Sequence, residues 1–148
     1  MYQNARMSDV LDSQPLSPEA CHALGEEIAT FAAGVAVIEH KMLTCLRRFD
    51  AANGWAAGGF LSCAHWLAWR THIGLKAARE HVRVARALGE LPIVDAYLSR
   101  AELSYSKVRA ITRVATADNE QDLVERVVDA HECGREEAHP RRRYEDIG

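Results

Sequence analysis

Five cations fall close together in this 148-residue chain: Arg70, Lys76, Arg79, Arg83 and Arg86. On a helix starting at Leu75, turning about 100° per residue, the last four share an arc of about 80° with Glu80 at its edge. Leu75, Ala78, Val82, Ala85 and Leu88 occupy the other side. A cationic stripe of this kind suits a helix laid against a phosphate backbone, where each contact releases a counterion. These residues are therefore expected to touch phosphates, with duplex DNA as the partner, rather than to read bases. The same pattern also describes the solvated face of a helix pair with no affinity for nucleic acid. The choice turns on whether the cations stand free or are tied to carboxylates.

Other residue sets with chemical potential fail on spacing. Cys63 and His65 are two apart, so on a helix they point about 200° from each other and cannot grip one ion. His131, Glu132, Cys133 and His139 likewise lack paired-ligand spacing. His22, His40 and His81 stand singly. Asp118, Glu120, Asp122, Glu125 and Asp129 read as the solvated face of an acidic helix. There is no Gly-x-Ser-x-Gly elbow and no glycine-rich phosphate loop after a strand. No catalytic residue, metal ligand or cofactor is expected in this chain.

The elements that must position the cations are helical. Ser17-Pro18-Glu19 is a helix start: a capping hydroxyl, a proline in the first turn and a carboxylate near the positive end of the dipole. From there Cys21, Leu24, Ile28, Phe31, Val35, Ile38, Met42, Cys45 and Phe49 recur in alternating steps of three and four. This 21–49 heptad seam predicts one long helix packed lengthwise against another. The favoured partner is the chain's own later helices, and the alternative is a homodimer. Asn53-Gly54 and Gly58-Gly59 mark turns. Ser62 caps a helix over Cys63–Thr71. A second runs from Leu75 to Leu88 and stops at Gly89. Pro92 opens a third, to about Arg100. Ser104 caps a fourth, to about Thr116, and Asp118-Asn119 starts a last one ending near Gly134.

No segment has strand periodicity, so the fold is expected to be all-α, a long N-terminal helix packed against several shorter ones. Residues 1–16 read as a flexible leader, 17–134 as a single helical domain and 135–148 as a charged, disordered tail. Within residues 67–82, Ala68 is the small inner residue of a helix-turn-helix-like pair. His72 takes the tight turn, Ile73 is the plug, and Ala78 and Val82 face inward. Trp66 and Trp69 are expected in the core rather than as a stacking platform.

Charge and hydropathy narrow the class further. Residues 61–116 carry nine Lys and Arg against four Asp and Glu, whereas both ends are acidic and the total is −3. No signal peptide is evident, and the longest apolar run, Ile28 to Ile38, is too short for a bilayer. Four cysteines without pairing spacing suggest buried, reduced thiols in a cytoplasmic protein with no membrane partner.

The run Trp66-Leu67-Ala68-Trp69-Arg70-Thr71-His72-Ile73-Gly74 resembles the 13E12 repeat family, domain of unknown function 222. So do Ala78-Arg79, Val82 to Leu88, Leu91-Pro92, Leu103-Ser104 and Val108 to Arg113, covering roughly residues 20–133. The family usually has Thr-Gly where this chain has Thr71-His72. The resemblance implies a helical domain, DNA-associated, often followed in longer proteins by a His-Asn-His (HNH) endonuclease module. The similarity ends near Gly134 without that module. The chain therefore reads as a truncated or frameshifted copy, or as an isolated helical half.

Overall fold

A computed structural model describes residues 15–138, and these are helices and turns with no strand among them. The chain divides into two compact units, residues 1–34 and 35–148. The first helix, α1 (Pro18–Ala51), starts as the sequence dictates, with Ser17 Oγ accepting the Ala20 amide at 3.1 Å. Its residues 21–34 are all exposed.

From residue 35 onward α1 belongs to the second unit, and its buried stripe is Ala36, Leu43 and Leu46. Around that stripe, Arg47 Nη1 donates to the Ala85 carbonyl at 3.3 Å, and His40 Nε2 lies 3.0 Å from Asp95 Oδ1. Within this unit, seam residues Val35, Ile38 and Met42 stand beside this stripe and remain outside. Ile28, Phe31 and Ile38 are 67, 68 and 66 % exposed, and Leu24, Val35 and Met42 are also exposed. Within the second unit, then, Val35, Ile38 and Met42 of the seam are left uncovered by the later helices, and only its last residue, Phe49, packs on one of them, against Trp66. By length and composition α1 also meets the requirement for a membrane span, which its short apolar core run did not suggest.

Beyond α1, Asn53 takes the left-handed backbone (φ 51°) while Gly54 serves a different need. A methyl at Gly54 would stand 2.5 Å from Phe49 Cδ2, so the ring covers the turn only because a hydrogen is there. A 3-10 turn, Ala56–Gly58, leads to α2 (Cys63–Thr71), whose Ser62 Oγ accepts the His65 amide at 3.3 Å. Then follow α3 (Leu75–Glu90), α4 (Pro92–Ser99), α5 (Tyr105–Ile111) and α6 (Glu120–Ala138).

Several boundaries differ from expectation. Gly89 lies inside α3 rather than ending it, and a Cβ there would be 3.0 Å from Arg47 Cδ. Its role is close approach, and Pro92 sets the break instead. α5 stops at Ile111, beyond which the Arg113 and Val114 amides bond three residues back, to the Ala110 and Ile111 carbonyls, at 3.2 and 3.0 Å. α6 continues past Gly134 to Ala138, so the start of the expected tail is helical, and residues 139–148 lie outside the described residues. Most of the expected leader, residues 1–14, lies outside them as well.

Leu43, Val84, Val94, Leu98, Val108 and Val124 form the fully buried centre of the second unit. Glu120, read as part of a solvated acidic face, is instead 2 % exposed. Its Oε2 accepts the Ile93 and Val94 amides at 3.1 and 3.2 Å. α4 has Leu91 at its N-cap and so no side-chain cap of its own, and the carboxylate on α6 fills that place from another element.

Candidate nucleic-acid interface

The α2–α3 pair is joined by His72-Ile73-Gly74. His72 closes α2 in the left-handed conformation (φ 62°, ψ 15°), the turn position assigned to it. Ile73 is half-buried against the core, and Ala78 and Val82 are buried at the α3 side of the pair. Trp66 packs on Phe49 with ring centroids 4.3 Å apart. Trp69 is not a core residue: it is 63 % exposed at the last turn of α2 and lies over Phe60.

The five assigned cations separate into two groups. Arg70, Lys76 and Arg79 are exposed, and among the described residues no carboxylate lies within ion-pair distance of them. Arg83 and Arg86 are held. Arg83 donates from Nε and Nη2 to the Glu80 carboxylate at 3.0 and 3.2 Å. It reaches on to Thr112 Oγ1 and the Arg109 carbonyl, which braces α3 against the end of α5. Arg86 makes a two-pronged pair with Asp50, at 2.6 and 3.1 Å. The acidic partners come from α3 itself and from α1, and none of these pairs involves α6.

Two cations that sequence reasoning did not assign join this surface. Arg109 and Arg113 approach Glu80 at 3.5 and 2.8 Å, so three guanidinium groups converge on one carboxylate. Their i, i+4 spacing on one segment was the available signal. Glu80 is held below the usual carboxylate range, chiefly by its hydrogen bonds from Arg83. Three positive charges around one negative leave the cluster cationic.

Between α2 and α3 lies a groove of about 360 Å³ lined by Ser62, Cys63, Ala64, Arg79, Val82, Arg83 and Arg86. The first turn of α2 opens onto it. Ser62 takes the His65 amide, and the helix dipole adds a partial positive charge beside three arginines. At the rim, Arg86 holds Asp50 below the usual carboxylate range. Cys63 is buried, and burial together with the nearby Asp50 charge pushes its thiol up to about 11. It is therefore a poor nucleophile at neutral pH.

The other three cysteines, Cys21, Cys45 and Cys133, are exposed rather than buried, since they lie on the uncovered seam and the outer side of α6. Among the described residues no three His, Cys, Asp or Glu side chains come close enough to hold a metal ion. His65 Nδ1 lies 2.7 Å from Ser62 Oγ.

Taken together these features define a class: an all-helical domain that presents a basic face from a helix-turn-helix-like pair. Within that class the chain matches the family model described as a domain of unknown function, DUF222, over residues 22–144, and it belongs to that family. The match passes Gly134, where the resemblance had been placed as ending, and takes in most of the charged C-terminal segment. No curated protein and no solved structure matches the chain.

Proposed function

We propose that this domain is a DNA-associated accessory module that rests its α2–α3 face on the phosphates of duplex DNA. The observation that carries the reading is that Arg70, Lys76 and Arg79 of this helix pair are exposed with no carboxylate within ion-pair distance among the described residues, Arg79 at the groove that Arg83 and Arg86 also line. Arg79 and Lys76 supply mobile charge. Arg83 and Arg86 keep their geometry through Glu80 and Asp50 and contribute field rather than free side chains. In the resemblance, a helical domain of this kind precedes a nuclease module in longer proteins, and holding the duplex is a role that suits such an arrangement.

Binding through phosphates depends steeply on salt, log K falling by roughly 0.9 per phosphate neutralised for each tenfold rise in salt. Duplex DNA of mixed sequence should bind weakly at low salt and release by moderate salt. Replacing Arg70, Lys76 and Arg79 together with Ala should flatten that dependence while leaving the circular dichroism spectrum unchanged, since none of the three is a core residue. Absence of any shift with DNA at low salt overturns the reading.

A further inference from the structure

The geometry points to α1 as the dimerisation helix of this protein, pairing antiparallel with α1 of a second copy about an axis near Gly34; this is independent of the DNA reading. The seam residues Leu24, Ile28, Phe31, Val35, Ile38 and Met42 are all exposed. They repeat in steps of three and four, the pattern that a straight partner helix fills by knobs-into-holes packing.

Charge decides the orientation. With Cys21, Ile28, Val35 and Met42 at the first seam position and Leu24, Phe31, Ile38 and Cys45 at the second, the flanking residues on one side are Glu27, Gly34, Lys41 and Arg48. An antiparallel pair brings that side against itself. In one register Glu27 faces Lys41 of the second copy, twice by symmetry, and Gly34 faces Gly34 where the helices come closest. Ile28 then packs on Ile38 and Phe31 on Val35. A parallel pair makes no opposite-charge contact from these flanks, because Glu27, Gly34 and Lys41 would face Ala32, Glu39 and Leu46.

Burial decides the register. Sliding by one heptad would put Glu27 opposite Arg48 but would call on Phe49 as a seam residue, and that ring is already taken up against Trp66 at 4.3 Å. The Gly34-centred register uses only exposed seam positions. Lipid fits α1 less well. Ala36, Leu43 and Leu46 of this helix are committed to a protein core, which a helix crossing a bilayer would have to give up.

The chain should sediment as a dimer at micromolar concentration. Phe31→Asp and Ile38→Asp should each give a monomer with unchanged helix content, since both side chains are exposed in the single chain. A short bismaleimide should join Cys21 to Cys45, followed by peptide mapping. Within one chain these are 24 residues apart on one helix, about 36 Å, so this product can only form between two copies. A monomer at all accessible concentrations, a Cys21–Cys21 product, or flotation of the protein with neutral lipid vesicles in place of self-association would each overturn the proposal.

Discussion

Asp50 and Arg86 show how one pair sets both local charge and stability. The Asp50 side chain is 10 % exposed and accepts both prongs of the Arg86 guanidinium, which holds its carboxyl below the ordinary carboxylate range. In the unfolded chain the same carboxyl titrates near 3.9. The stabilisation is therefore complete above about pH 4 and is lost as the pH falls through the lower folded value. Removing the guanidinium leaves a mostly buried carboxylate without its partner, at a cost of about 1–3 kcal/mol. Arg86→Ala should thus be destabilised at pH 7 in urea unfolding. The gap from the parent should narrow on acidification, and a gap that stays constant down to pH 2 would rule out this account. For the same reason Arg86 is a poor choice for testing DNA contact, because its loss disturbs the domain as well as the field.

At the scale of elements, the α2–α3 turn carries a measurable strain. His72 has φ 62°, a conformation that costs a residue with a Cβ about 1–2 kcal/mol and glycine almost nothing. His72→Gly should raise the unfolding free energy by about 1 kcal/mol, checked by thermal or urea melts, with no change in helix content. A decrease would mean that the imidazole does more than occupy the turn. Ala101, with φ 58°, is strained in the same way, and its sequence neighbourhood gave no turn signal.

The helix starts were legible because their causes are local: Ser17, Ser62 and Ser104 each accept an amide three residues on, and Pro92 sits in a first turn. What was not legible depends on distant chain. Gly89 read as a stop because nothing nearby announces that Arg47 must pass it. Glu120 read as solvated because the amides it serves lie 26 and 27 positions earlier. The cationic stripe on α3 was visible from periodicity, and the Glu80–Arg83 pair sits at helical spacing. Asp50, 36 positions before Arg86, had no such signal. Periodicity likewise marked the α1 seam, but the expectation that the chain's own later helices cover it fails at Val35, Ile38 and Met42, which are exposed.

For the molecule as a whole, the Glu120 carboxylate joins the beginning of α4 to the beginning of α6 through two hydrogen bonds, one buried and one partly so. An ordinary helix cap frays with its own helix, but this one can be lost only when a different helix lets go. Opening of α6 should therefore expose the Ile93 and Val94 amides to solvent, and the starts of the two elements are expected to exchange deuterium together. Native-state exchange should show those two amides moving in step with the amides of α6 around Val124, and Glu120→Ala should release them selectively. If they instead follow the rest of α4 in the Ala variant and the parent alike, the two helices open separately.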